Sequence, residues 1–302
     1  MAAGTSTPTV VPTSGIVRRT SAALFRHPRL KLWLTLGPTA TWMLVIYLAS
    51  LALMLVTAFW QLNELSSQIE RVWGLQNFQT LAQTSVYRTI TFRTVGMAAA
   101  VTITDLTLAF PIAYFAARVA APRTRSLLLL AVVMPLWSNY LVRVFAWKVI
   151  TSGDGPLQSL LGVLGIHHSI SASNWAVWIT FSYLWLPFAI LPIFGALERL
   201  PDSLMEASSD LGARNSMTFR RVVIPLVFPG IVAASIFTFA LTLGDYITPT
   251  LVGKGFFIGN AIYNLVGLAS NLPLAAAFTM IPVAIMIIYL SVARKLGAFE
   301  AL

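Results

Sequence analysis

The chain has 302 residues, of which 57% are hydrophobic and only 10% charged, and its mean hydropathy is +0.79. Too few polar side chains remain to cover a water-facing surface, which excludes an ordinary soluble protein and requires a bilayer to solvate the rest. Twenty Lys and Arg against ten Asp and Glu leave a net charge of +10, and the absence of cysteine excludes disulfides, thiolate nucleophiles and Cys-ligated metals.

Residues 1–15 (MAAGTSTPTVVPTSG) are small, polar and Pro-rich, the composition of a disordered segment. Arg18, Arg19, Arg26, Arg29 and Lys31 complete a basic tail over residues 1–35. Residues 32–63 carry no charge, and this interval exceeds the ~20 residues a membrane-crossing helix needs. A cleavable signal peptide would have an apolar region of about 7–15 residues ending in small side chains, so residues 36–60 are predicted as a first transmembrane helix. Further apolar runs at 94–117, 126–147, 175–197, 222–243 and 274–293 bring the prediction to six spans. Pro111, Pro135, Pro187, Pro192, Pro229 and Pro282 lie inside them, as bundles tolerate when neighbours satisfy the freed carbonyls. After the third span, residues 156–164 are predicted as a short interfacial helix or a cover on the outer vestibule. His167 and His168 are adjacent with no carboxylate nearby, a poor metal site, and no metal is predicted. The fold class is all-α: a polytopic membrane protein with six transmembrane helices over residues 36–293 and a tail over 294–302.

Six spans put both termini on one side, and the basic residues choose which. With the termini inside, the inner segments hold fourteen Lys and Arg and the outer segments six, so the positive-inside rule predicts cytoplasmic termini. The excess charge therefore reports orientation and gives no reason to invoke nucleic acid. Trp33, Trp60, Trp73, Trp147 and Trp175 fall near predicted span ends, as interfacial aromatics do.

The longest inner segment between spans, residues 198–221, reads ERLPDSLMEASSDLGARNSMTFRR. Ser203 and Glu206 have the spacing of a capping box, and Gly212 is placed to take the left-handed conformation just past a last turn. The pattern predicts a helix over residues 204–211, with Leu204, Ala207, Ser208 and Leu211 on one face. So short a helix is marginal in water and must be held by packing.

Glu206-Ala207-Ser208-Ser209-Asp210-Leu211-Gly212, with Val222, Ile224 and Pro225 downstream, resembles the EAA loop of ABC-importer permeases. Ser208 replaces the last alanine of that pattern, and Val222 and Ile224 replace its Ile and Leu; Gly212 and Pro225 keep their spacing. The segment from Phe110 to Arg118 is similar to the second-span end of the same class. The segments PLWSNYLVRVFAW from Pro135 and GDYITPTLVG from Gly244, followed by Ile258-Gly259-Asn260, resemble the spermidine/putrescine permeases. The resemblance covers roughly residues 36–293 and implies a type I ABC-importer permease fold in a bacterial inner membrane. It implies that Ser203, Glu206, Ala207, Ser208, Asp210, Leu211, Gly212 and Pro225 form an ATPase-coupling loop. It also implies an ABC ATPase dimer, a second homologous permease and an extracytoplasmic solute-binding protein as partners, besides membrane lipid.

No GxxxxGK[ST] occurs; Gly253-Lys254-Gly255 lacks the upstream glycine and the hydroxyl. The chain is therefore expected to be no enzyme and to hold no cofactor, with ATP and Mg on the partner ATPase. Asp105 is centred in the second predicted span, where a charge costs roughly 2.5–3.5 kcal/mol, so it is expected to face the bundle interior or water. It either solvates a passing ammonium or makes a structural hydrogen bond near Thr102, Thr104 or Thr107, or to the partner permease. Trp137, Tyr140, Asp245 and Tyr246 are further pathway candidates, because carboxylates and aromatic faces suit a flexible polycation; interfacial anchoring explains the aromatics equally well. Arg143 is read as a partner for Asp245 or a snorkelling residue. The alternatives are an importer permease for another small solute and an ion-gradient-driven transporter, whose inverted repeats are not evident here.

Overall fold

The computed structural model describes residues 28–63, 66–165 and 169–295, with side chains from residue 36 onward. The basic tail before residue 28, the His167–His168 pair and the tail after residue 295 lie outside the described residues. The chain divides into two units, residues 1–56 and 57–302. In the first, α1 (Pro28–Thr57) is one long helix, uncharged from Leu36 onward, with Trp42, Met43 and Tyr47 exposed.

The second unit begins with an antiparallel hairpin, β1 (Gln61–Asn63) and β2 (Gln68–Glu70), in which Leu62 faces Ile69. It was not anticipated from the sequence; the only signal is one apolar residue at the centre of each triplet. Then come α2 (Gln76–Gln83) and α3 (Ser85–Tyr114), which runs on through a π-turn at Phe115–Val119. Next are α4 (Pro122–Trp137), α5 (Tyr140–Ile150), α6 (Pro156–Val163) and α7 (Asn174–Glu198). The short α8 (Asp202–Asp210) and α9 (Asn215–Thr218) follow, and a second π-turn at Phe219–Val223 leads into α10 (Ile224–Gly244). The chain closes with α11 (Ile247–Val252), α12 (Ile258–Gly267) and α13 (Leu272–Lys295).

Among the described residues, Leu36–Thr57, Ser85–Val119, Asn174–Glu198, Asn215–Gly244 and Leu272–Lys295 are long and apolar enough to cross a membrane. The third predicted span departs from expectation: α4 and α5 meet at 96°. The cause is local. Pro135 removes a helical donor, and the backbone N–H and hydroxyl of Ser138 both bond back to its carbonyl. The Asn139 side chain then accepts from Leu141 N at 2.9 Å, starting a new helix in a new direction.

Three helices, α3, α7 and α10, form the core. Ala109, Ala113 and Ala116 bring α3 close against Ala189, Ile193 and Leu197 of α7 and Val227 and Ala234 of α10. The closest approach is at Gly230, where a Cβ would stand 2.5 Å from Ala196 Cβ and 2.9 Å from the Pro192 carbonyl. A second core around Val101, Val144, Phe181, Leu184 and Phe257 ties α5 and α11 to the other end of α3 and α7. Helix α13 joins α10 through Tyr289, stacked on Phe239 at 4.6 Å and donating to the Ser235 hydroxyl at 2.9 Å. Ile103, Leu127, Met134, Ile287 and Ile288 point outward, a surface suited to lipid.

Candidate functional site

The loop after α7 folds as a short surface helix, α8. Its start differs from the capping-box expectation. Pro201 occupies the N-cap position and makes no side-chain cap, Asp202 is the first residue, and Ser203 lies inside the helix. The reason is a long-range clamp: Arg118, on the π-turn after α3, bridges to Asp202 at 2.5 Å and fixes the start two residues earlier. The C-terminal end agrees with the sequence pattern. Gly212 has φ +76°, and the Gly212 and Ala213 amides donate to the Ser209 and Ser208 carbonyls at 2.8 and 3.1 Å, closing a Schellman turn.

The expected single face is divided. Met205 packs against the main core, and the Ser208 hydroxyl bonds the Thr218 hydroxyl at 2.8 Å, so these two hold α8 down. Leu204, Ala207 and Leu211 are exposed, Leu211 at 88%, with Glu206 and Asp210 exposed beside them. A Cβ at Gly212 would meet nothing within 4 Å. Pro225 stands exposed in the first turn of α10, just after the second π-turn. Beside the helix, a cleft of about 530 Å³ opens between α7 and α10, lined by Pro192, Ala196, Arg199, Leu204, Leu226 and Gly230.

The pathway candidates fall in four places. Tyr140 and Asp245 are brought together. The Asp245 carboxylate accepts from the Tyr140 hydroxyl, from the Thr248 hydroxyl at 2.7 Å, and from the Ile247 and Thr248 amides at 2.8 and 3.3 Å. Arg143 is not its partner, contrary to one sequence expectation: among the described residues it makes no ion pair, and its guanidinium lies 6.0 Å from the Tyr140 ring centre. Tyr246 turns the other way and stacks on Tyr263 at 5.1 Å, while Trp137, at the end of α4, is 78% exposed.

Asp105 is 0% exposed, on α3 where that helix packs against α7 and α10; neither carboxylate oxygen makes a hydrogen bond of ordinary geometry, and the Ser182 hydroxyl of α7 is the polar group that faces it. The threonines expected to help do not: Thr102, Thr104 and Thr107 each donate to the carbonyl four residues earlier in their own helix. Beside Ser182 on α7, the Trp178 and Trp185 indole nitrogens are buried without partners. Their spacing of four and three residues puts them on one helix face. Trp185 also stacks on Tyr140 at 6.0 Å. Sequence reasoning missed Ser182, Trp185 and Thr248. The Asp245-x-x-Thr248 spacing of a capped turn was the available signal for the last.

Among the described residues no group of three or more His, Cys, Asp and Glu side chains converges on a metal-sized site.

The profile of the family described as binding-protein-dependent transport system inner membrane component matches residues 20–297. The inner membrane ABC transporter permease protein YdcU of Escherichia coli is 40% identical over 299 residues, 94% of this chain and 95% of that protein. The spermidine/putrescine transport system permease protein PotB of Haemophilus influenzae is 33% identical over 211 residues, 68% of this chain and 73% of its own length. A bacterial alginate ABC transporter, solved with a periplasmic protein carrying an alginate pentasaccharide, superposes with a TM-score of 0.70 at 17% identity, over 91% of this chain and 97% of that one.

Proposed function

This chain belongs to the family of inner-membrane components of binding-protein-dependent transport systems, and from that premise we propose that it forms half of the transmembrane pathway of an ATP-driven importer of polyamines. Membership sets aside the ion-gradient-driven reading. Both termini and α8 then face the cytoplasm, in keeping with the distribution of basic residues. ATP and Mg bind the partner ATPase dimer, a second homologous permease supplies the other half of the pathway, and an extracytoplasmic binding protein delivers the solute.

The observation that carries the coupling role is the outward stripe Leu204, Ala207 and Leu211 on a helix otherwise pinned to the core. A rigid helix presenting small and apolar side chains is a surface on which another protein can dock closely. Closure of the ATPase dimer on ATP displaces α8, and the two permeases open outward to receive solute. Exposed Glu206 and Asp210 add little energy to such docking, so shape at Ala207, Leu211 and Gly212 dominates.

The polyamine assignment is supported by the PotB relatives and by Asp105, a buried carboxylate that faces only the Ser182 hydroxyl, beside the tryptophan face of α7. Carboxylates and aromatic faces match a chain of ammonium groups. The alginate transporter shares the fold at 17% identity, so fold alone selects no solute.

Two glycine variants test the docking. Gly212→Ala adds only the strain of a left-handed alanine, about 1–2 kcal/mol. Gly212→Trp adds the same strain and a ring projecting into open space. We expect the reconstituted importer to keep most uptake with alanine and to lose at least about ten-fold with tryptophan. Equal behaviour of the two variants would sink the docking role. Uptake of labelled spermidine and putrescine in the presence of the cognate binding protein tests the solute; no uptake of either, with ATP hydrolysis intact, would refute the polyamine assignment.

A further inference from the structure

Two arginines, Arg118 on the π-turn after α3 and Arg125 in the first turn of α4, grip the elbow between α7 and α8. Arg118, whose side chain is 11% exposed, sits on the π-turn. One of its terminal nitrogens donates to Asp202, the first residue of α8, at 2.5 Å. The other donates to the carbonyls of Leu197, at 2.6 Å, and Leu200, at the end of α7. Arg125 bridges to Glu198 and lies 4.9 Å over the Phe194 ring. Among the described residues these are the two salt bridges, and both hold this elbow.

The Arg118 arrangement does two electrostatic jobs. A guanidinium at the C-terminus of α7 satisfies the Leu200 carbonyl, adds to the bond that the Leu197 carbonyl takes from the Leu200 amide, and meets the negative end of the helix dipole. The same rigid fork holds an acid at the positive end of α8. Asp202 is 76% exposed, so the ion pair adds little stability. What the fork supplies is direction: three oxygens, on the last turn of one helix and the first of the next, are fixed to one planar group. The π-turn that presents it also belongs to a second joint. Phe219, opening the other π-turn, packs edge-on against Phe110 and Tyr114 of α3, with ring centres 5.5 and 5.8 Å away. Helix α8 is thus tied to α3 before its first turn by Arg118 and after its last turn through Ser208, Thr218 and Phe219.

We infer that Arg118 is a positioning residue for energy coupling: through Asp202 it makes α8 and α3 move as one body, so that a push on the surface helix is delivered to the helix that carries Asp105. The inference rests on the docking role of α8 proposed above. Without the fork, α8 would keep its tie through Ser208, Thr218 and Phe219, but its first turn could pivot about Leu200–Pro201 relative to α3.

The chain has no native cysteine, so in an importer whose partner chains are freed of reactive cysteine, paired spin labels at Ile103→Cys on α3 and Ser203→Cys in the first turn of α8 report the separation. The measurement uses the full importer, assembled with its ATPase and second permease, with and without a non-hydrolysable ATP analogue. With Arg118 and Asp202 present, the label separation stays constant when the analogue is added. With Asp202→Ala, which leaves the guanidinium no side-chain acceptor on α8, the expected change is about 2 Å or more, the scale of helix displacements in switching proteins. Asp202→Glu, which can still reach the guanidinium, restores the constant separation. Arg118→Ala removes the contacts to Leu197 and Leu200 as well and can fail to fold, so Asp202→Ala is the deciding variant. An unchanged separation in Asp202→Ala, with the ATPase still bound, overturns the inference and leaves the docking role standing. ATPase binding that is indifferent to Gly212→Trp overturns both.

Discussion

The two ends of the three-helix core are built on different principles. At the α8 end, guanidinium groups meet carboxylates and carbonyls, and an apolar stripe is left facing outward. At the α11 end, the carboxylate of Asp245 is held by two hydroxyls and two amides, and the aromatic neighbour that serves it, Tyr140, is itself packed on Trp185. The first arrangement fixes orientation while leaving a surface to be covered. The second seals a joint. Between them Asp105 has neither, a buried acid that faces only the Ser182 hydroxyl. Polar groups whose bonding is complete serve the fold, and those left incomplete in the core are the ones available to something the chain does not supply.

Three substitutions would break or sharpen that contrast, taken in order of their effect on stability. Asp245→Ala strands two backbone amides and leaves the hydroxyls of Tyr140 and Thr248 with only each other, 2.8 Å apart. It should destabilise the protein by about 3 kcal/mol or more, read as a lower unfolding temperature in detergent. If the loss were below about 0.5 kcal/mol, the joint would be ornamental. Asp105→Asn removes a buried charge that faces only the Ser182 hydroxyl, so thermal stability should hold or rise slightly, by up to about 1 kcal/mol, while polyamine uptake falls. A large drop in stability would reclassify Asp105 with Asp245. Leu211→Ala should be smallest, within about 0.5 kcal/mol, because the side chain touches water in the isolated chain. Its effect should surface as weaker retention of the ATPase during purification. The order of stability effects is then the reverse of the order in coupling.

Hydropathy and charge carried much of the fold, and spacing carried Gly212. What they could not carry was direction. A hydropathy window over residues 126–147 sees continuous apolar composition and cannot see that Ser138 and Asn139 redirect the backbone through 96°. The capping box at Ser203 and Glu206 was a sound local reading overruled by Arg118, 84 residues before the acid it holds. Likewise charge complementarity suggested Arg143 for Asp245, whereas folding brought Tyr140 from 105 residues away. The first miss is a local redirection of the backbone, the second a long-range partner displacing a local one, and the third a choice between two side chains one turn apart on α5.

The bend between α4 and α5 carries a consequence for hydration. A helix of sixteen residues reaches about 24 Å, short of the ~30 Å hydrocarbon layer that its neighbours are long enough to cross. The backbone at the corner is irregular, and Ser138 and Asn139 are exposed there beside Trp137. Irregular backbone at membrane depth is stable only against protein or water, never against lipid tails. The third crossing is therefore a short stave, and the corner at its rim has to be covered by water or by another protein chain, never by lipid tails alone.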